Sequence, residues 1–197
     1  MSFRLGRVRF EVSFPLVCLM TAAVMLDSSL SVLLCFLAAL LHELGHLAAL
    51  RRFGTLPREI RLTLFDIAIT DTHRHIRSSR AQLVIALAGV AVNFACAGLC
   101  LPLASVTGNE LLRLFGNAHL TLGLFNSLPV STLDGAQALS VLLSRFVSPR
   151  TLNRLMKGIS LVILLPAACC GFLLLFSCPY HFSLLLTSLY LLFVLLF

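Results

Sequence analysis

The chain has 197 residues, of which 59% are hydrophobic and 12% charged, and its mean hydropathy is +1.00. A soluble domain carries about 25% charged residues, so the composition excludes an ordinary soluble enzyme and points to a multispanning membrane protein without room for a large extramembrane domain. The formal net charge of +7 does not indicate a nucleic-acid binder, because the arginines lie between apolar runs instead of forming one basic face.

The N-terminal MSFRLGRVRF leads into an apolar stretch from about Val12 to Leu26. It resembles a signal peptide, but VMLDSSL stands where a small-residue cleavage site would be, so it reads as an uncleaved first span. The second stretch, Leu30 to Leu50, is about 31 Å long as a helix and can cross a bilayer. In the loop that follows, REIRLTLFDIAIT alternates Ile60, Leu62 and Leu64 and then Ile67 and Ile69. This period of two predicts a small β-hairpin between the second and third spans; the alternative is a basic loop lying on anionic headgroups. Further apolar stretches run from about Gln82 to Ala104, Leu111 to Leu128, Ile159 to Ser177 and Phe182 to Phe197. LDGAQALSVLLSRF, after the fourth, has the spacing of an interfacial helix behind an N-cap-like Asp. The predicted fold is an all-α polytopic membrane protein of six transmembrane helices carrying that hairpin. It forms a single domain over residues 1–197, with a core at about 30–147 and two C-terminal spans at 159–197.

Every Lys and Arg except Arg113 falls before the first span, between the second and third, or between the fourth and fifth. The positive-inside rule makes that side cytoplasmic and puts both termini there. Of the seven cysteines, all but Cys178 lie inside apolar stretches and none forms a C-x-x-C pair, so they read as small buried hydrophobes.

The second span contains HELGH, residues 42–46. A charged group at mid-bilayer costs about 3 kcal/mol on insertion scales, so three such groups in one turn need a purpose. His42 and His46, at i and i+4, lie one above the other on one helix face and can reach one tetrahedral zinc. Glu43 stands beside the first ligand, where its carboxylate can reach an activated water. A catalytic zinc takes three protein ligands. FNSLPVSTLDG, residues 125–135, offers Asp134 at matching depth, because spans two and four run in the same direction. Pro129 breaks the helix there and Gly135 permits a turn beside the metal.

The pairing of HELGH with NSLPVSTLDG resembles the site-2 proteases, a family of intramembrane zinc metalloproteases. The second motif matches their N-x-x-P-x-x-x-L-D-G pattern at Asn126, Pro129, Leu133, Asp134 and Gly135. The six-span layout without a PDZ insertion is similar to the branch of the stage IV sporulation protease. The resemblance implies one zinc per chain held by His42, His46 and Asp134, with Glu43 as catalytic base. The chain departs from the family at Val90, where a proline is usual, and at Ala136, where a second glycine is. Asn126 and Asn93 are candidates for binding the substrate backbone or an oxyanion, against the alternative of interhelical hydrogen bonds. His119 is a candidate for lining the cavity or bonding a neighbouring helix.

The expected activity is regulated intramembrane proteolysis near the cytoplasmic face of a bacterial cell membrane, with a membrane-associated protein as substrate. A membrane-embedded regulator and an oligomer are further candidates. The rivals are a catalytically silent scaffold that binds the same clients and an ion transporter built on the His-Glu-Asp cluster. Spans five and six carry too few polar residues to favour a transporter.

Overall fold

The computed structural model describes residues 2–5, 8–12, 21–23, 25, 30–54, 59–62, 67–70, 78–177 and 183–196. In chain order these hold strands β1 (Ser2–Leu5) and β2 (Val8–Val12), helix α1 (Ser31–Arg52), strands β3 (Glu59–Leu62) and β4 (Ile67–Thr70), and helices α2 (Ser79–Thr107), α3 (Glu110–Asn126), α4 (Asp134–Leu143), α5 (Pro149–Ser177) and α6 (Ser183–Leu196). Residues 21–23 and 25 are also helical. The chain divides into two compact units, residues 1–124 and 125–197.

This corrects the predicted fold class. The chain is not all-α with a lone hairpin in one loop, because β3 and β4 belong to a four-stranded sheet of order β1-β2-β3-β4. β1 and β2 are antiparallel, β2 and β3 parallel, and β3 and β4 antiparallel. The register aligns Phe3, Phe10, Ile60 and Ile69 in one row across the sheet, and Arg4, Arg9, Glu59 and Thr70 in the next. The N-terminal alternation of apolar residues with arginines has the strand period. Charge counting registers the arginines and overlooks the alternation.

Six transmembrane helices are not what the described residues contain. Three helices are long and apolar enough to cross a membrane, within Ser31–Arg52, Ser79–Thr107 and Pro149–Leu174. The 17 residues of α3 and the 14 of α6 reach only about 25 and 21 Å at 1.5 Å per residue, against a hydrocarbon core of about 30 Å. Most of the first expected span, together with Leu64 and Cys178, lies outside the described residues.

The surface of this membrane protein is inverted relative to a soluble fold. Leu99, Val106 and Val162 are more than 70% exposed, while His42, His46, Asn93, His119 and Asp134 are buried. Leucine costs nothing against lipid, whereas an unsatisfied polar group there costs several kcal/mol, so the polar residues turn inward.

In the first unit α1 packs on α2. The buried positions of α1 are Ala38, His42, Gly45, His46 and Leu50, a stripe at three- and four-residue intervals. Gly45 lets the backbones meet: a Cβ there would lie 2.9 Å from the Ala88 carbonyl oxygen and 2.9 Å from Val92 Cγ2. Small residues serve membrane helix pairs in this way, since van der Waals contact replaces a hydrophobic driving force. α3 packs on α2 from another side, where a Cβ on Gly116 would meet Leu101 Cδ2 at 2.7 Å and one on Gly123 would meet Asn93 Cβ at 3.1 Å. α2 starts at Ser78, whose Oγ accepts from the Ala81 N–H, and stops at Gly108, whose φ of 68° is the left-handed region open to glycine. Arg51 and Arg52 close α1 at the negative end of its dipole.

In the second unit Val130, Leu133, Leu164, Leu191 and Leu195 form the core. This core joins the turn before α4 to α5 and α6.

Gly45→Ala forces α1 and α2 apart and should cost about 1–3 kcal/mol, the range of overpacked interiors. A lowered thermal midpoint of the detergent-solubilised chain is the expected readout. An unchanged midpoint would show that the helices do not depend on this approach.

Candidate metal centre

The i,i+4 spacing in α1 turns both motif imidazoles onto the face that meets α2. His42 and His46 are buried, and their Nε2 atoms lie 3.1 Å apart with the rings edge to face. The residue beneath them is Gly89, where a Cβ would come within 2.7 Å of His42 Nε2 and closer still to His46 Nε2. Any side chain at 89 would therefore occupy the space between the rings.

The far nitrogens are held. His46 Nδ1 donates to the Ile85 carbonyl oxygen at 2.8 Å, so neutral His46 keeps its proton on Nδ1 and offers Nε2 as a lone pair. His42 Nδ1 lies 2.8 Å from the carboxamide nitrogen of Asn93. Two buried Nε2 atoms thus face each other across a glycine, and each ring is held through its other nitrogen. Glu43, on the next position of α1, is half-buried.

Asn93 is fully buried, and its Oδ1 lies 2.9 Å from Nδ1 of His119, also fully buried. Both ends of this carboxamide are thus engaged by imidazoles. Phe115 packs edge-on against His119 with ring centroids 4.5 Å apart.

The second motif lies in the second unit. Asn126 is the last residue of α3 and is half-buried. The chain turns sharply after it, with the Leu128 N–H bonded to the Phe125 carbonyl and the Leu133 N–H to that of Val130. Pro129 sits within this turn and cannot continue the helix. Gly135 is required by proximity, since a Cβ there would lie 2.7 Å from the Leu128 carbonyl oxygen. Asp134 is buried and opens α4, where a carboxylate gains from the positive end of the helix dipole.

Sequence reasoning missed what supports these residues. The Ser131 N–H donates to Ser160 Oγ at 2.9 Å, the two hydroxyls lie 3.0 Å apart, and Ser160 Oγ donates to the Met156 carbonyl. The turn before Asp134 is thereby tied to α5. A serine inside an apolar span was the available signal. Gly89 gave none, because the space a Cβ would fill is invisible in sequence.

In three dimensions the chain has the fold of a site-2 protease. The solved Site-2 Protease from Methanocaldococcus jannaschii matches with a TM-score of 0.65 and 20% identity, over 98% of this chain and 92% of that one. In sequence the chain is similar to Zinc metalloprotease MJ0392 of the same organism, 28% identical over 144 residues, or 68% of this chain. The chain spans about two fifths of that relative's length, 41%. No family model matches it.

Gly89→Ala should lower the affinity for zinc by at least about 10-fold, the smallest effect usual for residues that support metal ligands. Competition with a chelator measures it, and an unchanged affinity would show that the rings do not need this gap.

Proposed function

We propose that the protein is an intramembrane zinc metalloendopeptidase that hydrolyses peptide bonds of membrane-associated proteins near the cytoplasmic face. The single observation that carries this reading is the pair of buried Nε2 atoms 3.1 Å apart over Gly89, next to a glutamate in an apolar helix. The similarity to the zinc metalloprotease supports it. We further propose that Asp134 is the third ligand beside His42 and His46, as the N-x-x-P-x-x-x-L-D-G motif implies.

Bound by these residues, zinc would act as a Lewis acid on the scissile carbonyl and lower the pKa of the attacking water. Glu43 takes a proton from that water as its oxygen attacks the carbonyl carbon, and later gives the proton to the amine released when the C–N bond breaks. No covalent link to the protein forms. Asn126 donates to the oxygen on which negative charge develops; Asn93, with both amide ends occupied, is left to positioning. The substrate must unwind at the cut, because a helical peptide bond shelters its own polar groups. An extended segment can then add to an edge of the sheet by β-augmentation.

Glu43→Gln should keep its zinc and lose cleavage of a co-expressed single-span substrate by about 100-fold or more, the size of a general-base contribution. Equal cleavage by both forms would remove Glu43 from the reaction, and unchanged client binding without cleavage by the wild type would favour a scaffold. Asp134→Ala should be purified with zinc well below one per chain. Undiminished zinc in that variant would exclude Asp134 as a ligand.

A further inference from the structure

We propose that His119, acting through Asn93, decides which ring nitrogen His42 offers to a metal. This inference rests on the zinc reading and extends it to two residues outside the ligand set. Three hydrogen bonds link the group. The Ile85 carbonyl fixes the proton of His46 on Nδ1. With the carboxamide nitrogen of Asn93 donating to His42 Nδ1, neutral His42 carries its proton on Nε2, directed at His46 Nε2. Asn93 Oδ1 accepts from His119 Nδ1. In that arrangement His42 Nε2 is protonated and cannot ligate.

A ligand must present a lone pair on Nε2 and so carry its proton on Nδ1. An Nδ1–H cannot face an NH2 group, so Asn93 must then turn its oxygen to His42. The two ends of a carboxamide have nearly the same shape, so the reversal needs no movement of the helices. It points the NH2 group at His119 Nδ1, which must become the acceptor, and the proton of His119 moves to Nε2. Each ring holds one proton in both arrangements. The ligating form of His42, the reversed Asn93 and the Nε2-protonated His119 therefore occur together.

His119 Nε2 is buried and has no hydrogen-bond partner among the described residues, so the ring's polar tie to the protein is the one to Asn93. The close approach at Gly123 and the edge contact of Phe115 seat the ring there. Without an acceptor at 119, the reversed amide would bury an unsatisfied NH2 group, and the arrangement that donates to His42 would prevail. His119 is thus a positioning residue and not a ligand.

The test uses the full-length chain in detergent and reads zinc affinity by chelator competition. His119→Leu should weaken zinc about 10- to 100-fold, the usual effect of losing a residue that orients a ligand. His119→Gln, whose carbonyl can accept from the Asn93 amide, should recover most of the loss. Asn93→Leu should weaken zinc similarly, and adding His119→Leu to it should cost nothing more, because the pair acts as one unit. Additive losses, or no rescue by glutamine, would overturn the proposal. Nitrogen-15 NMR of histidine-labelled wild type gives a second readout that needs no variant to fold: zinc should move the proton of His42 from Nε2 to Nδ1 and that of His119 from Nδ1 to Nε2. Unchanged tautomers on loading would also overturn it. A wild type that binds no zinc would sink the metalloprotease reading itself, whereas zinc-binding wild type with an equally tight His119→Leu would sink this inference alone.

Discussion

A polar atom buried in an apolar layer has no water to turn to, so its partner must come from the protein. In the first unit that constraint converges on Asn93. It stands at the middle of α2 and meets His42 from α1 and His119 from α3 through opposite ends of one carboxamide. Each contact requires its two helices to hold a particular register. Sliding α1 by one residue would turn the Asn93 amide away from His42 and His46 away from the Ile85 carbonyl. The bonds therefore specify an alignment that lipid-facing leucines, equally content at any register, cannot.

Close approach makes those bonds reachable. Gly45 and Gly89 on one side of the pair α1 and α2, and Gly116 and Gly123 on the face of α3, lie where a methyl group would strike a neighbour. Glycine weakens an isolated helix by about 1 kcal/mol relative to alanine. Here it allows backbones and imidazoles to come within bonding distance, and at Gly89 it leaves a gap between two Nε2 atoms. At Gly89 the close helix approach and the approach of the two imidazoles share one residue.

The second unit solves a different problem. Asp134 stands buried at the start of a short helix just after a proline-broken turn, and the turn has few regular backbone bonds of its own. Ser160 supplies the missing tie by meeting both the N–H and the hydroxyl of Ser131 while donating to its own helix. The buried leucines and valine of this unit close over the same turn. A carboxylate on such a turn gains from the dipole of α4 and stays polar in an otherwise apolar setting.

Local patterns in the sequence determined the membrane class, the helices carrying HELGH and its surroundings, and the nitrogens of His42 and His46 as a pair, because helical spacing and hydropathy act over a few residues. The alternation in β3 and β4 was visible for the same reason. That in β1 and β2 was equally present but was masked by arginines counted as topology signals. Only the tertiary structure decided that these strands join one sheet, that Gly89 leaves room for the imidazoles, and that Asn93 and His119 belong to the same hydrogen-bonded group. Those facts depend on residues tens of positions apart meeting across helix interfaces, and no local pattern records which faces will meet.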